Sequence, residues 1–295
     1  MVKLDDLEVG KLDWDPYEHT SKPNWCPGCG DHGILAALKN AIIELNEKPE
    51  NVLIVSGIGC GSKLPHWIRT YGFHGVHGRV LPVATGARLA NHKLTIIGIA
   101  GDGDAYGIGL GHFIHTMRRN LDIVYIVENN GVYGLTKGQT SPTSSKGFKS
   151  ISTPEGVIDI PINPITLALS SGATFVSRGY AGDVKHLTKL IVDGVVHKGF
   201  ALIDIFQPCV TYNHLNTYKW YNKRIYRLEE TKHDVTDLEA AFVKAEEWGN
   251  KIPTGIFYNV EKPTYGSELP QIAKIPLVKQ GISNVNIEKL MDEFV

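Results

Sequence analysis

Three short runs are apolar at nearly every position: residues 51–56 (NVLIVS), 94–100 (LTIIGIA) and 121–127 (LDIVYIV). Such runs predict strands buried on both faces of a parallel sheet, because a half-exposed strand would alternate. Residues 173–177 and 201–206 predict two more. Between them the period lengthens to that of a helix. Asp31 can cap a helix over 32–46, with Leu35, Leu38, Ile42 and Leu45 on one face. Further helical segments fall at 86–91, 107–119 and 183–197. Strands alternating with helices predict a doubly wound α/β fold with a mostly parallel sheet.

Two stretches break the rhythm. Residues 135–163 (LTKGQTSPTSSKGFKSISTPEGVIDIPIN) hold no steady period and are rich in Ser, Thr, Gly, Pro and Lys, which predicts a long functional loop. Beyond Gln207 come Tyr212, Tyr218, Trp220, Tyr221 and Tyr226, a helix expected over 234–249, and a proline-spaced end. The 295 residues divide into an expected α/β domain over 1–210 and an extension over 211–295 that packs on that domain or on a partner. No internal repeat and no low-complexity segment interrupts this plan.

Lys and Arg number 30 against 31 Asp and Glu, so no bulk charge favours nucleic acid or an anionic membrane. No apolar run approaches the roughly 18 residues of a membrane span, and the opening MVKLDDLEVG has neither a basic start nor an apolar segment behind it. The expected location is cytoplasmic. Glycines concentrate at 57–61 and 98–111, where backbone can approach a ligand closely.

Ligands of open parallel sheets bind outside the carboxyl ends of the strands. Those ends read GIGCGSK from Gly57, GDGD from Gly101, ENNG from Glu128 and QPC from Gln207. Asp102 and Asn130 can offer Mg²⁺ a carboxylate and an amide oxygen from adjacent strand ends, with phosphate oxygens, a backbone carbonyl and water completing the shell. A helix after Gly103 would aim its amino terminus at a diphosphate. Read singly, Asp-Gly is a turn and Asn-Gly a hairpin signal. Together, at this spacing, they look like the Mg²⁺-diphosphate motif of thiamine diphosphate enzymes.

The four cysteines, Cys26, Cys29, Cys60 and Cys209, are too few for a disulfide framework. Cys26 and Cys29 share a Pro-Gly turn that lets both thiols face one way, while the other two follow strand ends. Gathered at one edge of the sheet, the four suit an iron–sulfur cluster or an all-thiolate zinc site. The single, distant third and fourth ligands weaken zinc, and four ordinary buried cysteines are the plain alternative. A thioredoxin-like dithiol fits poorly, because no strand precedes CPGC.

The blocks WCPGCGDHG, GIGCGSKLP, HGRVLPVATG, GDGDAYGIGLGHF, VENNGVYGLTKGQTSPT and QPC, spread over most of residues 25–210, together resemble the β subunit of 2-oxoacid:ferredoxin oxidoreductases. The resemblance implies a 4Fe-4S cluster on Cys26, Cys29, Cys60 and Cys209. It implies Mg²⁺-thiamine diphosphate held by Asp102, Asn130 and the Val132 carbonyl, with Gly101, Gly103, Asp104, Tyr133, Gly134, Leu135 and Thr136 along the diphosphate. Ile58, Gly59, Cys60, Gly61, Ser62 and Lys63 would approach the thiazolium.

The implied reaction is oxidative decarboxylation of a 2-oxoacid, with coenzyme A taking the acyl group and ferredoxin the electrons, possible also in reverse. Lys63 is a candidate for the substrate carboxylate and His77 for the diphosphate or the adduct; each also reads as an ordinary loop residue. His112 and His115 read as helix packing. Lys137 could meet a second, distal carboxylate, which favours 2-oxoglutarate and leaves pyruvate and broad specificity open. Only the diphosphate-binding half of a thiamine site is legible, so the resemblance implies an α or fused α/γ partner subunit. A zinc-stabilised docking subunit and a cluster-free thiamine decarboxylase are the rival readings.

Overall fold

The structure, a computed structural model, describes residues 21–283 and 285–294. The polar lead-in before Ser21 lies outside them. Helix α1 (Asp31–Glu44) is followed by β1 (Val52–Ser56), β2 (Tyr71–His74), α2 (Val80–Ala90), β3 (Thr95–Gly101), α3 (Leu110–Arg118) and β4 (Ile123–Asn129). Then come the two-residue strands β5 (Val132–Tyr133) and β6 (Gln139–Thr140), α4 (Pro164–Ser170), β7 (Phe175–Tyr180), α5 (Val184–Val196) and β8 (Phe200–Phe206). The chain closes with α6 (Tyr218–Asn222), β9 (Ile225–Arg227), α7 (Leu238–Ala245), β10 (Ile252–Asn259) and α8 (Glu288–Met291).

Eight strands form one sheet in the order β2-β1-β3-β4-β8-β7-β10-β9. Every pairing is parallel except β10 on β7. All residues of β4, β7 and β8 are buried, as the continuous apolar runs require. One apolar layer packs α1 and α5 against one face through Ile34, Leu38, Leu187 and Ile191. The other face is covered through Val80, Phe113, Ile165 and Ala241. Helices on both faces make this the doubly wound fold that the alternation predicts, and burying both faces is its dominant stabilising term.

Several boundaries differ from the sequence reading. Helix α2 begins at Val80 rather than 86, because Pro82 sits in its first turn, where a missing N–H costs nothing. The segment expected over 107–119 is split: a π-helical turn spans Gly103–Ile108, with non-helical backbone at Gly107, before α3 starts. Helix α7 is shorter than 234–249, because Asp237 caps it by accepting from Glu239 N and Ala240 N at 2.9 and 3.1 Å. Strands β9 and β10, from beyond residue 210, extend the same sheet. Among the described residues no helix is long and apolar enough to cross a membrane.

Candidate functional site

The parallel neighbours β1, β3, β4 and β8 all end at the same edge, so the loops after Ser56, Gly101, Asn129 and Phe206 meet there. The first three of these loops, with His77, line a cavity of about 150 Å³. Its lining takes in every cofactor-facing residue expected from the sequence except Ser62 and Lys63, and adds Glu128.

Asp102 is buried at the end of β3. Its Oδ2 accepts from Gly131 N at 3.1 Å, from Ser141 Oγ at 2.5 Å and from Thr143 Oγ1. Burial pushes its pKa up to about 6, opposed by the hydroxyls of Ser141 and Thr143 and the Gly103 amide. A divalent cation would offset what burial costs the ionised form. Asn130 turns on itself, its Oδ1 accepting from Val132 N at 3.0 Å, and Asn213 fixes its carbonyl at 2.8 Å. Positive φ at Gly131 (70°) lets the loop double back toward Asp102. The oxygen-rich donor set suits a hard cation.

Backbone also crowds this cavity. A Cβ on Gly103 would lie 2.1 Å from the Tyr133 ring, whereas one on Gly101 would meet no atom within 4 Å. Asp104 accepts from Gly78 N, and His77 Nδ1 lies 2.7 Å from its Oδ1. His77 therefore faces the cavity from across the Asp104 carboxylate. Asp104 Oδ2 is buried without a partner. Half-buried His112 and exposed His115 lie on α3 and do not line the cavity.

The thiol side has a different character. Cys29 N donates to Cys26 O at 3.0 Å, closing the CPGC turn, and Gly30 N reaches Pro208 O at 3.2 Å. Trp25 Nε1 holds the Cys60 carbonyl at 2.7 Å, and Gln207 Nε2 donates to Cys29 Sγ at 3.0 Å. These bonds draw the turn, the loop after β1 and the loop after β8 together, with all four thiols free. Burial pushes Cys60 up to about 11, with Asp31, Cys209 and Cys26 adding to the rise. Burial also drives Cys29 far above the usual thiol range, reinforced by Asp31 and Cys209. Bare thiolates at Cys29 and Cys60 would thus be costly, and a cationic iron–sulfur core is the kind of group that offsets such a cost. Among the described residues no three His, Cys, Asp or Glu side chains are grouped as they would be around a metal ion.

Lys63 turns to this side: its Nζ approaches Asn24 Oδ1 at 3.5 Å and its charge acts on Asp31 and Cys60. Lys137 is exposed, with φ 80°, outside the cavity. Sequence reasoning passed over Glu128, Ser141 and Thr143. Glu128 carried a signal, a lone charge at the end of an apolar strand. The two hydroxyl residues carried none.

Residues 57–205 match the family described as thiamine pyrophosphate enzyme, C-terminal TPP binding domain. Residues 209–274 match the family of the C-terminal part of the pyruvate ferredoxin oxidoreductase beta subunit. A 2-oxoacid:ferredoxin oxidoreductase subunit beta of Saccharolobus solfataricus is 50% identical over 85% of this chain and 84% of its own length. One from Sulfolobus is 52% identical over 82% of this chain and 84% of its own. A 2-oxoglutarate synthase subunit KorB of Methanocaldococcus jannaschii is 36% identical over 84% and 92%. Among solved structures, the 2-oxoglutarate:ferredoxin oxidoreductase from Magnetococcus marinus, with 2-oxoglutarate, coenzyme A and succinyl-CoA bound, superposes with a TM-score of 0.86 at 37% identity over 95% of this chain and 96% of that one. Two relatives at half identity across most of both lengths, together with a thiamine-binding domain built on this edge of the sheet, make the chain a member of the 2-oxoacid:ferredoxin oxidoreductase β-subunit family.

Proposed function

We propose that this subunit binds Mg²⁺ and thiamine diphosphate at Asp102, Asn130 and the Val132 carbonyl, and a 4Fe-4S cluster at Cys26, Cys29, Cys60 and Cys209. With an α or fused α/γ subunit it would convert 2-oxoglutarate and coenzyme A to succinyl-CoA and CO₂, passing electrons to ferredoxin in the cytoplasm. The observation that carries this reading is the meeting of the two halves at one edge: the Asp102 cavity is lined by Cys60 itself, and Gly134 approaches Cys60 Sγ so closely that a Cβ there would sit at 3.4 Å.

When bound, thiamine diphosphate supplies the carbon nucleophile and electron sink for decarboxylation, and an iron–sulfur cluster takes up electrons singly. The chain's own residues hold these groups in register. Ser141, Thr143 and Gly131 fix the Asp102 carboxylate, Tyr133 closes over Gly103, and the Cys60 loop forms the wall between the two halves. His77 is available to hydrogen-bond the diphosphate. Lys63, beside Asp31 and Cys60, reads better as a countercharge on the thiol side than as the substrate anchor. Lys137 is assigned the distal carboxylate. The aminopyrimidine side of the coenzyme is left to the partner, and residues 260–294, which expose Ile275, Val278, Ile282 and Leu290, are assigned to contact with it.

A broad 2-oxoacid range, pyruvate included, is the second reading. It is favoured by the names of the Sulfolobus and Saccharolobus relatives. Metal and sulfide analysis of the co-expressed complex tests the cluster: about four irons and four labile sulfides per chain are expected. One zinc and no iron would sink it. Steady-state rates with 2-oxoglutarate, 2-oxobutyrate and pyruvate separate the two substrate ranges, and turnover by this chain alone would remove the need for a partner.

A further inference from the structure

A second cavity, of about 180 Å³, lies behind the Asp102 loop and shares only Asn130 with the first. Aromatic side chains of Phe206, Tyr221 and Trp248 line it, as does Ile162. Arg178, 2% exposed, projects into it from β7. The guanidinium carbon lies 5.1 Å from the centre of the Phe206 ring and 5.3 Å from that of Phe257. Its Nε and Nη1 are buried with no hydrogen-bond partner. A cation so thoroughly desolvated and left with idle donors is costly.

Asp204 supplies a countercharge but does not occupy those donors. It lies 3.8 Å from Nε, beyond hydrogen-bond reach. Its Oδ1 is committed to Tyr106 at 2.8 Å and to Asn129 at 3.2 Å. The exposed Glu246, on the rim, is the other acidic lining residue.

We infer that this cavity is a second ligand site, for a small monocarboxylate with a flat apolar body. The guanidinium offers a carboxylate the opposite charge and N–H donors. Aromatic walls suit the body, and a cavity of this size takes something close to a single ring rather than a nucleotide.

Sodium benzoate, with benzamide as its uncharged counterpart, is the probe. Calorimetric titration of the full chain purified with its partner subunit should give saturable binding with a Kd of about 1 mM or tighter, and benzamide should bind at least about tenfold more weakly. Arg178→Met should weaken benzoate by about tenfold. Trp248→Ala changes a residue on the exposed rim, so it tests the site even if the Arg178 variant fails to fold, and it should weaken benzoate by about threefold with the melting temperature unchanged. The same affinity after removal of Mg²⁺ and thiamine diphosphate would support the site whatever becomes of the cofactor assignment. Equal binding of benzamide, unchanged affinity in Trp248→Ala, or crystals soaked in benzoate that show only water beside Arg178 would each overturn it.

Discussion

Asp102 on one side of the cavity, and Asp31 and Glu128 on the other, are buried carboxylates held in opposite ways. At Asp102, a backbone amide and two hydroxyls converge on one oxygen. On the thiol side, Asp31 Oδ2 and both oxygens of Glu128 are buried without hydrogen-bond partners. Burial raises Asp31 to about 7 and holds Glu128 well above the carboxylate range, with Asp31 adding to the latter. The Asp102 carboxylate is already organised by the chain itself, although Asp104 Oδ2 beside it is buried without a partner. The thiol side is built against the chain's own electrostatics, as expected where a bound group completes the balance.

The largest way to break this contrast is at Gly61, where a Cβ would stand 1.0 Å from Glu128 Oε2. Gly61→Ala should cost about 3 kcal/mol of stability, since the buried Glu128 carboxylate must be pushed aside into a packed interior. Adding Glu128→Ala should recover about 2 kcal/mol of it, measured by denaturant unfolding of both variants. Equal stability of the single and double variants would mean that the clash is relieved elsewhere. Next in size is Cys29→Ser. If the thiol side is completed by a cluster, iron should fall from about four per chain to nearly none while Mg²⁺ and thiamine diphosphate binding persist. Loss of both together would instead make the two sides one folding unit.

Thr143 probes the organised side. Its hydroxyl is shared between Asp102 and Asn129 Oδ1, the latter at 2.8 Å. Thr143→Val keeps the shape and removes the donor, and should weaken Mg²⁺ binding by about tenfold in a titration with thiamine diphosphate present. An unchanged affinity would reduce Ser141 and Thr143 to loop anchors.

The fold was legible where burial is two-sided. The ends of β1, β3, β4 and β8 followed from unbroken apolar runs, and with them the place of Asp102, Asn130, Cys60 and Cys209. Strand β10 was not, because Pro253 and Gly255 interrupt IPTGIFYN; Gly255 has φ 110° and its Cβ would meet the Glu229 carboxylate at 2.3 Å. Strand β2 is exposed along its whole length and carries no pattern. Ser141 and Thr143 come from a loop whose path is set by tertiary bonds such as Ser144 Oγ to Gly131 O at 2.6 Å, and no local period announces such bonds.

The smallest effect is expected at Lys137, which touches neither side of the contrast. It stands exposed in left-handed backbone between Thr136, which lines the cavity, and Gly138. Holding a non-glycine residue there costs about 1 kcal/mol, so the conformation favours a residue whose side chain has a use. If that use is to meet the distal carboxylate of 2-oxoglutarate, Lys137→Ala should raise KM for this substrate by about threefold, leave kcat within about twofold, and barely alter KM for pyruvate, which has no second carboxylate. Lys137→Gly separates backbone from charge. It relieves the φ and removes the ammonium, so it should match Lys137→Ala in KM while gaining stability. An equal rise for both substrates would place Lys137 in general loop closure, and substrate choice would then pass to the partner's side of the pocket.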